Sequence, residues 1–256
     1  MPSVEASAGT WVIDLDGVVW LSRDPIPGSA QAVARLREAG FGVLFATNNA
    51  APTLGELTDR LARAGIEAAE DELVTSAQAA AAMLEPGSSA VVCGDAGVVE
   101  ALERRGVTVV PGPPADAVVV GWTRRFDFEM LATAATAVRA GDRFIGTNED
   151  ATHPTPERLL PGSGALLAAV ATAAQAEPEV AGKPHDAMVA LVRARATRPV
   201  MMVGDRPATD GMLARRLGVP FAHVATGVTS DGREPMVVEP DETAPDLAAL
   251  VARHVP

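Results

Sequence analysis

A chain of 256 residues, 48% hydrophobic and 21% charged, has material for a sizeable core in one large or two modest domains, which excludes global disorder. Its formal net charge of −12 argues against a general nucleic-acid or anionic-membrane surface, yet leaves room for a small anionic substrate held locally. A single cysteine, Cys93, excludes an internal disulfide. With no signal-peptide pattern in residues 1–9 and no long apolar span, the sequence predicts a cytoplasmic protein with no nucleic-acid or membrane partner.

In chain order, short apolar runs alternate with helix-like segments. Residues 11–13 predict a strand and 29–39 a helix stopped at Gly40. Residues 42–46 predict the next strand and 54–64 the next helix, stopped at Gly65. Strands follow at 91–92, 107–110, 118–120 and 144–145, with helices at 98–105 and 129–140. A helix at 186–193 precedes strands at 200–203 and 221–224. Short apolar runs bounded by turn residues suit strands buried on both faces, and the alternation predicts an α/β fold with a mainly parallel sheet. Chemistry-bearing motifs lie only before about residue 49 and after residue 182. Residues 76–179 therefore read as a second α/β domain inserted into a core made of 1–75 and 180–256. Cys93 lies in an apolar run and reads as a small buried hydrophobe. The pairs Arg104-Arg105, Arg124-Arg125 and Arg215-Arg216 read as solvated charges.

Four segments carry the chemistry. Asp14 and Asp16 stand two apart at a strand end, where residues i and i+2 share a face and can address one site. Two neighbouring carboxylates repel, which favours a cation or a shared proton and allows a split into nucleophile and acid. An Asx-type turn before Gly17 would use the same residues. Asp205 and Asp210 follow the 200–203 strand and could complete a Mg²⁺ site beside Asp14; Asp210 could equally cap a helix. Thr47, with amides near Asn48, could hold phosphate oxygens or simply cap its strand. Lys183, between Gly182 and Pro184, could fix an ammonium near a phosphate or be a surface charge.

Taken in order, these motifs resemble those of the haloacid dehalogenase superfamily of phosphotransferases. The insert resembles the α/β, C2-type cap of its class IIA branch, which includes NagD, pyridoxal phosphate phosphatase and glycerol phosphate phosphatases. Asp14 to Trp20 with Pro27-Gly28, Thr47-Asn48-Asn49-Ala50, Val120-Gly121-Trp122, Gly146-Thr147-Asn148, Leu160 to Gly164 and Ala181 to Pro184 carry the likeness. Asp210 is followed by Gly211-Met212 where relatives usually have a branched aliphatic, a departure that spares the carboxylates.

The resemblance implies a Rossmann-like, doubly wound parallel-sheet core with a mobile cap, and homodimers formed through that cap. Asp14 would be the nucleophile and Asp16 the general acid/base. Thr47, Asn48 and Lys183 would serve the phosphate. Asp14, the Asp16 carbonyl and Asp205 would hold Mg²⁺, supported by Asp210. Asn49 would line the pocket, and Asn148, Asp150 and His153 on the 148–156 loop would face the substrate, although His153 could also be an ordinary exposed loop residue.

The implied activity is hydrolysis of small phosphomonoesters through an aspartyl-phosphate. Glycerol phosphate, phosphoglycolate, pyridoxal phosphate, sugar or nucleoside monophosphates and p-nitrophenyl phosphate are the substrates to expect. A phosphotransferase or mutase on the same scaffold, a receiver-type phospho-acceptor and a metabolite sensor are the alternatives. A Rossmann dehydrogenase lacks its Gly-x-Gly-x-x-Gly here, and a P-loop NTPase lacks Gly-Lys-Ser/Thr, since Pro184 follows Lys183.

Overall fold

All four residues of the strand Thr10–Ile13 are buried, as a strand covered on both faces requires. It pairs in parallel with Gly42–Thr47 on one side and Pro199–Gly204 on the other. The computed structural model describes residues 8–22, 24–154, 158–227 and 236–255; most of residues 1–9 and the end of the 148–156 loop lie outside them. It extends the three strands into a six-stranded sheet. The order is Glu242–Ala244, Phe221–Val224, Pro199–Gly204, Thr10–Ile13, Gly42–Thr47, Leu73–Thr75. The early chain builds outward from Thr10–Ile13 to one side, and the late chain returns to build the other. The order therefore reverses between Thr10–Ile13 and Pro199–Gly204, the place where open α/β sheets bind ligands beyond their carboxyl ends.

Register fixes what emerges there. Ile13 lies opposite Val203, and the Asp14 amide donates to the Val203 carbonyl at 2.9 Å. The residues that follow leave the sheet side by side, on strands about 4.8 Å apart. Trp11, Ile13, Leu15, Phe45 and Phe221 are fully buried around this sheet.

The described chain falls into two units. One comprises Met1–Ala46, Thr58–Val74 and Val189–Pro256, and the other Thr47–Leu57 and Thr75–Met188. The second has its own five-stranded parallel sheet, ordered Glu179–Val180, Arg143–Gly146, Ala117–Val120, Ser89–Cys93, Thr108–Val109. A separate antiparallel hairpin of Thr152–Pro154 and Leu159–Pro161 belongs to the same unit. Its core packs Val118, Val120 and Phe144 with Ala134, Ala137, Leu167 and Val170 from the helices Phe128–Ala140 and Ser163–Ala174. Residues 47–57 and 180–188, which the sequence predicts to belong with the core, group with this second unit. The cause is local: Asn48 is hydrogen-bonded to Lys183, Ser76 and Asn148. Among the described residues no helix is long and apolar enough to cross a membrane.

Candidate active site

Asp14 and Asp205 follow the two central strands of the six-stranded sheet, and Asp210 follows five residues later. All three are buried, at 5%, 2% and 0% exposure. Each turns one carboxylate oxygen to a common point, and the three oxygens lie within 4.8 Å of one another. Local backbone makes this possible. Gly17 has φ of +87°, and a Cβ there would stand 2.6 Å from Asp205 Oδ2, so only glycine leaves the carboxylate its slot. His223, also buried, sets its Nε2 3.2 Å from the Asp205 carbonyl.

Asp210 is not a helix N-cap. It sits inside a single π-turn, Pro207–Gly211, and its Oδ2 accepts the Arg206 amide at 3.1 Å. The carboxylate closes its own loop backwards, which turns it toward Asp14 rather than along a helix. Three converging buried carboxylates repel, and burying such charge is costly unless a cation offsets it. An all-oxygen, all-anionic donor set fits a hard divalent cation.

The Asp16 carboxylate lies outside this cluster. The chain leaves the strand at Asp14, so strand alternation no longer governs residue 16. The Leu15 carbonyl gathers the amides of Val18, Val19 and Trp20, a tight turn that returns the indole over Asp16. Trp20 Nε1 donates to Asp16 Oδ1 at 2.9 Å. The sequence showed Trp20 only as part of a family motif; its signal was an aromatic N–H four residues beyond an acid across a glycine turn.

In the second unit, Asn48 is a buried hub. Its Oδ1 accepts the Lys183 amide at 2.7 Å. Its two amide protons go to the Lys183 carbonyl at 3.2 Å and to Asp150 Oδ2 at 3.3 Å. Its own carbonyl accepts from Ser76 Oγ and Asn148 Nδ2, both at 2.6 Å. The second amide proton of Asn148 goes to Ser163 Oγ, and its Oδ1 accepts the Asp150 amide. The side chains of Asn148 and Asp150, expected to face substrate, are thus engaged in holding Asn48. Both polar ends of the Asn48 side chain are bonded to protein.

Lys183 is 3% exposed, so it is not a surface charge. Thr47 ends its strand buried, and its Oγ accepts the Asn49 amide at 3.0 Å. Asn49 in turn accepts the Ala51 amide, closing the loop. His153 is half-buried on the hairpin, its ring centroid 4.8 Å from that of Trp122. Cys93 is buried, and burial, with Asp127 adding to it, pushes its thiol up to about 12, the behaviour of an inert hydrophobe.

Residues 11–108 match the family described as haloacid dehalogenase-like hydrolase, and residues 180–250 match HAD-hydrolase-like sequences. The chain belongs to the haloacid dehalogenase-like hydrolases. The D-glycerol 3-phosphate phosphatase of Mycobacterium tuberculosis is 38% identical over 90% of this chain, which spans 66% of that relative's length. The acid sugar phosphatase of Staphylococcus aureus is 35% identical, with 86% of this chain and 87% of the relative covered. A crystal structure of glycerol phosphate phosphatase from M. tuberculosis in complex with magnesium matches with a TM-score of 0.84 at 36% identity. That match covers 94% of this chain and 75% of the other. The likeness to class IIA of the superfamily holds, as does the Rossmann-like α/β fold. This haloacid dehalogenase-like enzyme is a hydrolase of phosphomonoesters.

Proposed function

We propose that the enzyme is a Mg²⁺-dependent phosphatase of small phosphorylated metabolites that works through an aspartyl-phosphate on Asp14. The observation that carries this reading is the convergence of the buried Asp14, Asp205 and Asp210 at the reversal of strand order. Asp14 attacks the phosphorus in line, and the bond from phosphorus to the leaving oxygen breaks. Asp16 gives that oxygen a proton. Asp16 then takes a proton from a water whose oxygen attacks the phosphorus, freeing Asp14 and orthophosphate. Thr47 and Lys183 are the phosphate ligands in this scheme, with the Asn48 backbone amide beside them. Asp14, the Asp16 carbonyl and Asp205 would hold Mg²⁺ with Asp210 in support, and the ion supplies charge that offsets repulsion between carboxylate and phosphate.

We assign catalysis to the unit that bears the acidic cluster and a cap role to the 76–179 insert. Glycerol 3-phosphate and sugar phosphates come first among the candidate substrates in this reading, because relatives at 38% and 35% identity carry those names. The test is phosphate release from a panel of phosphomonoesters, with Mg²⁺ and with EDTA, for wild type and Asp14→Asn. Mg²⁺-dependent release that vanishes in Asp14→Asn is the expected result. Release that survives EDTA or the substitution would overturn the scheme.

A further inference from the structure

Asp16 does not stand alone on its turn. Trp20 is 1% exposed, so its indole N–H needs an acceptor inside the fold, and it finds Asp16 Oδ1 at 2.9 Å. The same indole carries a cation. Arg60, in the same unit as Trp20 and near the end of the helix Leu54–Arg63, lays its guanidinium carbon 3.9 Å from the Trp20 ring centroid. Its Nη2 lies 3.9 Å from Asp16 Oδ1, the oxygen that already accepts the indole. Among the described residues Asp16 Oδ2 makes no hydrogen bond. The carboxylate side chain remains 37% exposed, open on one side.

A carboxyl group is symmetric, and an exposed one exchanges its two oxygens by rotation within picoseconds to nanoseconds. Here the symmetry is broken. A proton on Oδ1 would set an O–H against the indole N–H and toward a guanidinium, so Oδ1 is the poor seat for it and Oδ2 the good one. We propose that Trp20 and Arg60 are positioning residues for proton transfer by Asp16. They hold Oδ1 as a permanent acceptor and present Oδ2 as the oxygen that does the chemistry. In the first step the Oδ2–H bond breaks and its proton goes to the ester oxygen, which keeps the electron pair of the broken P–O bond. In the second, a water O–H bond breaks, its proton returns to Oδ2, and its oxygen bonds to phosphorus as the Asp14–phosphorus bond breaks. This inference rests on the reading of Asp16 as acid and base.

An arginine stacked on a buried ring can also be mere packing of a long side chain. The two roles separate on the leaving group. p-Nitrophenolate departs without a proton; a sugar or glycerol alkoxide does not. The parameter kcat/KM covers events up to formation of the aspartyl-phosphate, so it isolates protonation of the leaving oxygen. We would measure it on the Mg²⁺-loaded full chain for glycerol 3-phosphate and p-nitrophenyl phosphate, in Arg60→Met and Trp20→Phe. The first keeps an apolar stem on the ring, and the second keeps a ring but removes the N–H.

The expected result is a fall of about ten-fold in the alkyl ester's kcat/KM with a much smaller fall for the aryl ester, and partial recovery in Arg60→Lys. An equal fall for both esters, or none for either, would overturn the proposal. Arg60 is on a partly exposed helix surface, so Arg60→Met decides the question even where Trp20→Phe fails to fold. Asp16→Asn is the reference. If it retains alkyl-ester turnover, the acid/base reading of Asp16 fails by itself, whatever the Arg60 variants do.

Discussion

The acidic cluster of Asp14, Asp205 and Asp210 and the amide cluster around Asn48 are both buried, yet they are built on opposite terms. In the first, every group is an acceptor of the same sign, and no member can satisfy another. Its geometry is imposed from outside, by the Ile13–Val203 register, the Gly17 slot and the π-turn that folds Asp210 back. In the second, donors meet acceptors, and the network holds itself together. A cluster that the fold holds against its own repulsion is a place prepared for something else to bind. A cluster already satisfied is a support, and here it supports the backbone of Lys183. The contrast separates groups that act from groups that hold, which side-chain chemistry alone does not do.

The sharpest way to break this contrast is to remove one charge from the first cluster. Asp205→Asn should lower Mg²⁺-dependent turnover by about 10²-fold or more. Its effect on stability should have the opposite sign when metal is withheld. With EDTA present, loss of one of three repelling carboxylates should stabilise the fold by about 1 kcal/mol. With Mg²⁺ present, wild type should regain the advantage, because the ion binds its folded state more tightly. Thermal melts of both proteins under both conditions read this directly. If the variant is less stable in EDTA as well, repulsion does not govern the cluster.

The second cluster should respond in one direction only. Asn48→Ala removes the bonds that Asn48 makes to the Lys183 amide and carbonyl, and a buried hydrogen bond lost without replacement costs about 1–3 kcal/mol. We expect a loss of about 3 kcal/mol, the same with Mg²⁺ as with EDTA, together with lower turnover as Lys183 shifts. Asn48→Asp should recover little. It can still accept from Lys183, but it has no protons to give and sets a second carboxylate on Asp150. Asp150→Ala should cost less, about 1 kcal/mol, since its bond to Asn48 is long at 3.3 Å. Denaturant titrations rank the three, and an Asp150→Ala loss as large as that of Asn48→Ala would shift the hub of the network to the hairpin side.

What the sequence made legible divides along the same line. Asp14 and Asp205 follow short apolar runs, and such runs mark buried parallel strands, so a carboxylate site at a sheet edge could be inferred from local pattern. The helices over 98–105 and 129–140 appear as Ala96–Arg105 and Phe128–Ala140 for the same reason. The partnership of Asn48 with Lys183 spans 135 positions and leaves no periodic trace. No motif or spacing singles out Arg60, and only the return of Trp20 across the glycine turn gives it a role. Ser163–Ala174 is apolar on nearly every side, so it shows no helical stripe to read. Asp210 has the residue type of an N-cap, but a five-residue π-turn is not encoded in any single residue's preference.

Cys93 supplies the smallest effect and a check on the second unit as a whole. It is 0% exposed on a strand paired on both sides, its Sγ is 3.6 Å from the Met130 carbonyl, and its thiol is pushed up to about 12. Two barriers therefore protect it: at pH 8 only about one thiol in 10⁴ would be ionised, and no reagent reaches it without opening of the fold. Native protein should show no alkylation by iodoacetamide over hours, while denatured protein reacts fully, and mass spectrometry distinguishes the two. Asn48→Ala, if it costs the expected 3 kcal/mol, should raise the open population and with it the labelling rate by about 10²-fold. Asp150→Ala should raise it only about five-fold. Labelling that ignores both substitutions would mean that the strand around Cys93 opens without disturbing Asn48, and the amide network would then support Lys183 alone rather than the unit that contains it.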